Sequence, residues 1–243
     1  MTQRRRADRL LVERGLFESR AKAQAAIAAG LVRANDAVVH KASDEIALDA
    51  TLEAEPAHPY VSRGGLKLAA ALDHFRFNPA GRVCLDVGAS TGGFTQVLLE
   101  RGASRVLAVD VGSAQLHASL RAHPAVVSLE QTDIRKLTSA QLGAAPDFVT
   151  IDVSFISLRL VLPPVLTLAK TRMHLVALIK PQFEAGPDNV KKGIVRDAAV
   201  HDAVCADISA SAEALGLCVH GIIASPIEGA EGNREFLLGA TRD

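Results

Sequence analysis

The chain has 243 residues, of which 49% are apolar, and its formal net charge at pH 7 is zero. This length suits one large domain with a smaller one, and the composition can build a core. Cys84, Cys205 and Cys218 form no metal-type pair, and no apolar run reaches the roughly 18–20 residues of a membrane span. The opening is arginine-rich rather than apolar, so no secretory signal is predicted. We therefore expect a cytoplasmic protein with reduced thiols, no metal site and no membrane segment.

The distribution of charge says more than its total. Residues 1–41 hold nine Lys/Arg against four acids, a surplus of five. A basic segment on a neutral protein suggests a polyanionic partner such as nucleic acid. A solvated charged face explains the same surplus, and the sequence leaves both interpretations open.

The first 55 residues predict a small α+β unit. Apolar spacing over residues 7–15 predicts a helix that ends at Gly15, and Ser19 is a suitable N-cap for a second helix that ends at Gly30. Asn35-Asp36 predicts a turn between short strands. The side chains expected in this core are Leu10, Leu11, Leu16, Ala23, Ala26 and Ile27. Further short strands are predicted at residues 31–33, 38–39 and 46–48. Prolines then mark an interdomain linker over residues 56–63.

From residue 64 to residue 243 the pattern alternates between strands and helices. Strands are predicted at residues 82–87, 105–109, 126–129, 148–153, 175–179, 219–224 and 235–240. Helices are predicted at residues 66–75, 116–122, 158–170 and 200–215, with one more between the glycine loop and about residue 100. Apolar strands without alternation, joined by helices, indicate a seven-stranded, mostly parallel α/β sheet that is covered on both faces.

A glycine-rich loop over residues 86–95 links the first of these strands to its helix. Glycines allow the backbone to approach a ligand closely at the carboxyl edge of a sheet. The loop is not G-x-G-x-x-G, because position 90 is Ser, which weakens a dinucleotide interpretation. An acid before the glycines, Asp86, suits a cationic amino group on the ligand.

Acidic residues follow the next two strands as well. Asp110 can accept hydrogen bonds from two ribose hydroxyls, and Asp133 can meet an adenine amino group. Three such acids match an adenosine that bears an amino acid, as in S-adenosyl-L-methionine, although strand-end acids also serve as ordinary helix caps. The predicted cofactor-binding residues are Asp86, Gly88, Ala89, Ser90, Thr91, Gly92, Gly93, Phe94, Thr95, Asp110, Val111, Asp133, Ile134 and Asp152.

Four charged residues stand in apolar settings and form a candidate catalytic set. Asp152 and Lys180 end two central strands, and the other two members are Lys67 and Glu235. A ribose 2′-hydroxyl must lose its proton as it attacks a methyl group, and a partly desolvated lysine can accept that proton. For each lysine alone, a snorkelling side chain is the alternative. Motifs typical of amino methylation and of pyrimidine carbon-5 methylation are missing from the sequence.

Five segments, at residues 60–68, 86–95, 152–158, 180–184 and 232–236, resemble in order the signatures of the TlyA family of ribosomal RNA 2′-O-methyltransferases, also called hemolysin A-like proteins. The related RrmJ/FtsJ group uses a Lys-Asp-Lys-Glu tetrad, which by resemblance falls on Lys67, Asp152, Lys180 and Glu235. Residues 1–55 resemble an S4 RNA-binding domain, although Asn35-Asp36 replaces its usual Asn-Gly turn.

The resemblance implies a Rossmann-like class I methyltransferase domain behind an S4-like domain. It also implies methylation of a cytidine ribose in 23S rRNA, and in some members 16S rRNA, with ribosomal RNA or ribosomal subunits as partner. The expected RNA contacts are Arg4, Arg5, Arg6, Arg20, Lys22, Arg33, Lys41 and Arg63. Within the tetrad, Lys180 is the predicted proton acceptor and Asp152 orients it.

Two alternatives remain at the level of sequence. A membrane-active hemolysin would need an exposed amphipathic or spanning segment, and the helices show ordinary core stripes instead. An RNA-binding ribosome-assembly factor could do without catalysis, but all four tetrad positions are filled. The target nucleotide and the oligomeric state do not follow from the sequence.

Overall fold

A computed structural model describes residues 3–229 and 232–243. The chain forms two compact units, Met1–Pro59 and Tyr60–Asp243, each with its own apolar core.

The N-terminal unit packs two helices beside two small antiparallel sheets. Its elements are β1 Arg4–Arg6, α1 Ala7–Glu13, α2 Arg20–Ala28, β2 Val32–Ala34, β3 Ala37–Val38, β4 Glu45–Ala47 and β5 Leu52–Ala54. The sheets pair β1 with β4 and order the others β3-β2-β5. The side chain of Ser19 caps α2 by accepting a hydrogen bond from the backbone N–H of Lys22. Asn35 and Asp36 form the β2–β3 turn with φ angles of 48° and 64°, the left-handed pair that a tight hairpin needs.

Three details of this unit depart from the sequence analysis. Residues 4–6 form strand β1, although only basic charge was noted there; Arg4 pairs with Ala47 and Arg6 with Glu45. Strand β5 was also missed. Leu16, expected in the core, is 40% exposed, and Phe17 is buried instead. The reason is that α1 ends at Glu13 and Gly15 turns the chain with φ 71°, so the helical spacing no longer applies at position 16.

The C-terminal unit has the elements α3 Gly64–Phe75, β6 Val83–Val87, α4 Gly93–Glu100, β7 Arg105–Val109, α5 Ala118–Arg121, β8 Val126–Leu129, α6 Ser139–Leu142, β9 Phe148–Ile151, α7 Leu158–Leu168, β10 Met173–Ile179, α8 Ala198–Ala214, β11 Cys218–Ala224 and β12 Phe236–Arg242. Two short 3₁₀ helices, Pro181–Phe183 and Pro187–Asn189, follow β10. The short helix α6 and both 3₁₀ helices were not expected from the sequence.

The sheet order is β11-β12-β10-β9-β6-β7-β8. The five strands from β6 to β10 are parallel, and β12 runs antiparallel to both β10 and β11. This confirms the predicted seven-stranded, mostly parallel α/β architecture. One apolar cluster includes α7 and α8 and another includes α3 and α4, so both faces of the sheet are covered. The carboxyl ends of β6, β9 and β10 and the start of β12 share one edge, where the candidate site lies.

The three cysteines lie in different environments. Cys84 is buried in β6, Cys205 is half-buried on α8, and Cys218 is exposed at the start of β11. Burial raises the pKa of the Cys84 thiol to about 12 and that of Cys205 to about 11. All three are free thiols.

Candidate active site

The loop after β6 is shaped by contacts within the protein. Gly88 has φ 81°, and a Cβ atom there would lie 2.3 Å from the backbone oxygen of Asp152. A side chain at position 88 would therefore push apart the ends of β6 and β9, the two strands that flank the cleft. Gly88 was predicted for its approach to a ligand, and the structure adds this second reason for glycine.

The other two loop glycines also meet protein atoms. A Cβ on Gly92 would lie 2.3 Å from a methyl carbon of Leu120, and one on Gly93 would lie 2.3 Å from Ser62 Oγ. Gly93 begins α4, where the side chains of Phe94 and Thr95 are buried. These three positions, 93–95, therefore hold α4 against its neighbours, and their contact with a ligand stays a prediction.

Asp86 lies beneath the loop with none of its surface exposed. Its carboxylate accepts hydrogen bonds from Thr95 Oγ1 at 2.7 Å and Thr150 Oγ1 at 3.0 Å. Burial raises the pKa of Asp86 to about 6, against the opposing effect of these two hydrogen bonds. The covered carboxylate therefore orders the loop, and its direct contact with a ligand's amino group stays a prediction.

A cleft of about 690 Å³ opens at the carboxyl edge of the sheet. Five of the predicted cofactor residues line it: Gly88, Asp110, Val111, Asp133 and Ile134. Its other walls include Val153, Ser154, Phe155, Leu160 and Phe183. The volume lies within the range of small-molecule sites, which are mostly apolar with a few placed polar groups.

The two acids in the cleft are held by their neighbours. Asp110 accepts hydrogen bonds from the backbone N–H of Ser90 at 2.8 Å and of Gly112 at 2.7 Å, which join the loop after β6 to the loop after β7. Asp133 pairs with Arg135 at 2.7 Å. Hydrogen bonds from Arg135 lower the pKa of Asp133 to about 2, so this carboxylate is charged at neutral pH.

The candidate catalytic residues form two ion pairs. Lys67 Nζ lies 2.5 Å from Glu235 Oε2, and both side chains are buried. Lys180 Nζ lies 2.6 Å from Asp152 Oδ1 and donates a hydrogen bond to Ser154 Oγ at 2.9 Å. The ion pair is close but poorly aligned for a hydrogen bond, and Asp152 Oδ1 accepts none from the described residues. Asp152 Oδ1 is thus a buried carboxylate oxygen that can still accept a hydrogen bond.

Sheet topology explains why three of these residues lie at one edge. Asp152 follows β9 directly, and Lys180 follows β10. Ile179 pairs with Phe236, so Glu235, one residue before Phe236, lies across from the end of β10. Lys67 comes from α3, which packs on β12, and its pairing with Glu235 brings it to the same edge.

Three further residues join the site. Ser154 contacts Lys180, and Glu184 accepts hydrogen bonds from Ser157 Oγ at 2.6 Å and Leu158 N at 2.7 Å. Phe155 has φ 64° and is 90% exposed, with its ring 4.9 Å from that of Phe183. All lie inside the signature segments, but only their polarity or aromatic character stands out in the sequence, and neither property specifies a contact.

Much of the predicted RNA-binding charge in the N-terminal unit is paired within that unit. The buried carboxylate of Asp8 binds Arg6 at 3.1 Å and Arg20 at 2.7 Å. Hydrogen bonds from these arginines hold the pKa of Asp8 well below its usual range. Two further ion pairs are Arg5–Glu13 at 2.5 Å and Lys22–Glu18 at 2.6 Å. Arg6 and Arg20 therefore join β1, α1 and α2, a structural role that the sequence analysis missed.

The basic surplus of residues 1–41 also ends there. Residues 42–59 add five acids and no Lys or Arg, so residues 1–59 hold nine of each sign and have no net charge. Arg4, Arg33, Lys41 and Arg63 are exposed, and no ion pair of theirs occurs in the described part of the chain. The positive charges of these four residues are exposed and could bind RNA phosphates.

Two family models match the two units. The FtsJ-like methyltransferase model matches residues 60–242, and the S4 domain model matches residues 5–51. The 16S/23S rRNA (cytidine-2′-O)-methyltransferase TlyA of Mycobacterium tuberculosis is 45% identical over 243 residues, which cover 98% of this chain and 90% of that protein. Hemolysin A of Brachyspira hyodysenteriae is 37% identical over 234 residues, which cover 96% of this chain and 98% of that protein.

A solved structure from Streptococcus thermophilus, which also carries the hemolysin name, has a TM-score of 0.79 and 41% identity, with 100% of this chain and 90% of that chain covered. In the two described stretches of the chain, no helix is both long and apolar enough to cross a bilayer. The full-length similarity and the two matching models agree with the observed fold. The chain therefore belongs to the FtsJ-like methyltransferase family, as a TlyA-type member with an S4 domain before its methyltransferase domain.

Proposed function

We propose that this protein transfers a methyl group from S-adenosyl-L-methionine to the 2′-hydroxyl of a cytidine ribose in ribosomal RNA. The observation that carries the proposal is the pair of ion pairs, Lys67–Glu235 and Lys180–Asp152, at the edge of the sheet. The relative TlyA, named for this reaction on 16S and 23S rRNA, supports the substrate class. Ribosomal RNA or a ribosomal subunit in the cytoplasm is the proposed partner.

The residues of the cleft fit the proposed cofactor. Asp110 would hold the ribose hydroxyls, and Asp133 would meet the adenine edge, while Val111 and Ile134 supply apolar walls. When bound, the cofactor supplies a methyl group made electrophilic by its sulfonium. Asp86 acts indirectly, because its bonds to Thr95 and Thr150 keep the loop in place.

The chain's own task is to orient the ribose and take up its proton. As the hydroxyl oxygen forms its bond to the methyl carbon, the carbon–sulfur bond and the O–H bond break, and the proposed proton acceptor is the Lys180 amine, which must first release the proton that it carries in its ion pair with Asp152. Asp152 and Ser154 fix the position of that amine. The buried Lys67–Glu235 pair lies across from the end of β10, and exposed Phe155 offers a ring on which a flipped base can stack.

Lys180→Arg tests the proton transfer, since arginine keeps the positive charge but cannot accept a proton at neutral pH. We expect methyl transfer to rRNA, measured in single turnover, to fall at least about a hundredfold, in line with general-base contributions of 10²–10⁴. Binding of S-adenosyl-L-methionine, measured by calorimetry, should change little.

Lys170→Arg is the matched control. Lys170 lies away from the site, and it also forms an ion pair with an aspartate, Asp147, at an N–O distance of 3.0 Å. Full methyl transfer by Lys180→Arg would show that Lys180 acts only through its charge. If the wild-type protein leaves rRNA without new 2′-O-methyl groups when these are mapped, the proposed function itself is wrong.

A further inference from the structure

We infer that a basic turn after β10 binds RNA phosphates beside the catalytic edge, an inference that rests on the proposed function. The basic turn consists of residues 191–196. Lys191 and Ile194 exchange backbone hydrogen bonds of 3.0 and 3.1 Å, with Lys192 and Gly193 between them. Lys191, Lys192 and Arg196 are all exposed. Together with the exposed Arg234, they would bind the strand that flanks the target nucleotide.

The turn is fixed to the strand that carries Glu235. The buried side chain of Asn233 donates a hydrogen bond to Gly193 O at 3.0 Å and accepts one from Val195 N at 3.4 Å. His201, buried in α8, adds a contact of 3.0 Å between its Nε2 and Val195 O. Asn233 precedes Glu235 by two residues, a span of roughly 7 Å at most. The cations therefore lie next to the catalytic edge on an anchored piece of backbone.

The backbone conformation at Lys192 is one in which lysine does not stabilise the turn. Lys192 has φ 52° and Gly193 has φ 78°, the left-handed pair for which Asn-Gly is the preferred sequence. A lysine is unfavourable in that conformation. A strained residue at a solvent-exposed position points to a role for its side chain, and here that side chain offers only length and positive charge.

Among the described residues, the charges of this surface are unpaired, unlike those of Arg5, Arg6, Arg20 and Lys22. In the described residues, Lys191, Lys192, Arg196 and Arg234 form no ion pair with any carboxylate. The acid next to Arg196 in the chain, Asp197, is engaged as the N-cap of α8 through the backbone N–H of Ala199. Unpaired cations on a fixed turn are the groups that neutralise phosphates without reading the base sequence.

The test compares the double variant Lys191→Gln/Lys192→Asn with the control Arg105→Gln/Arg172→Gln. The control removes two exposed cations from the opposite edge of the sheet. The dissociation constant for an in vitro 23S rRNA transcript is measured by filter binding between 50 and 300 mM salt. We expect the slope of log Kd against log salt to fall by about 1.4–1.8 in the double variant, from two lost phosphate contacts, and to stay unchanged in the control.

The single variant Lys192→Asn separates charge from folding. Asparagine suits the left-handed backbone, so its Tm should equal or exceed that of the wild type while its affinity for the transcript falls. An unchanged slope in the double variant, an equal change in the control, or wild-type affinity in Lys192→Asn would each overturn the inference. Binding is measured without methyl transfer, so a wild-type protein that binds RNA but does not methylate it would contradict only the proposed function.

Discussion

At the scale of single residues, Gly88 is the position of the cofactor loop where the surrounding backbone leaves no room for a side chain. Its φ of 81° is nearly the same as the 83° of Gly216, but only Gly88 has a backbone oxygen, that of Asp152, in the path of a Cβ atom. The two glycines therefore separate the cost of a left-handed backbone from the cost of a steric clash.

We expect Gly88→Ala to abolish measurable binding of S-adenosyl-L-methionine in calorimetry, because the ends of β6 and β9 must move apart. Gly216→Ala carries the same backbone strain, about 1–2 kcal/mol, in open space. It should lower Tm by a few degrees and leave cofactor affinity intact. Equal affinities in the two variants would contradict the role given to the contact between Gly88 and Asp152.

The sequence identified individual site residues better than it identified their partners. Asp110 and Asp133 were placed in the cleft because strand ends converge at one edge of a parallel sheet. Asp86, which also lies near a strand end, is covered in the structure. The hydroxyls that cover it, on Thr95 and Thr150, come from other elements, and no local pattern reveals such contacts.

At the scale of elements, Glu184 joins the two loops that carry the reacting groups. It lies in the turn that begins at Lys180, and it accepts two hydrogen bonds from the first residues of α7. The other loop, between β9 and α7, carries Asp152 and Ser154. Glu184 therefore joins the loop that carries Lys180 to the loop that carries Asp152 and Ser154.

We expect Glu184→Gln to slow methyl transfer roughly ten- to a hundredfold at saturating substrates, because small displacements at a reacting centre are costly. The pH profile of the rate should also shift, since the surroundings of Lys180 change. Asp188→Asn, in the same segment and exposed, is the control. A lower Tm with an unaltered rate and pH profile would make Glu184 only a helix cap.

Element types and order in the C-terminal unit followed from periodicity, since long apolar runs alternate with amphipathic ones. The N-terminal unit was harder, because all its strands have two or three residues, and the Asn35-Asp36 turn helped to predict β2 and β3 but not β1 and β5. Strands this short have no period to detect, and β1 exists through its pairing with β4. Its three arginines indicated charge and gave no sign of a strand.

At the scale of the whole molecule, the two units have separate cores, so unfolding is expected in two transitions. Asp8 stabilises only the N-terminal one. Its pKa is held below the usual range by Arg6 and Arg20. The carboxylate therefore contributes stability above a pH of about 4, the ordinary value, and this contribution is lost as the pH falls further.

We expect Asp8→Asn to lower the Tm of the N-terminal transition by several degrees at pH 7 and to weaken its dependence on acid. The C-terminal transition should not move in calorimetric scans. Asp49→Asn, an exposed acid of the same unit, should leave both transitions in place. A shift of both transitions by Asp8→Asn would mean that the two units unfold together.

The unequal exposure of the cysteines has a practical consequence. Burial and a high pKa protect Cys84 and Cys205 from alkylation, because the thiolate is the reactive form. Exposed Cys218 pairs with Thr241 at the edge of the sheet opposite the cleft. A maleimide fluorophore should therefore attach at this natural position, and the unmutated protein can report RNA binding by anisotropy from a dye that lies clear of the reacting groups.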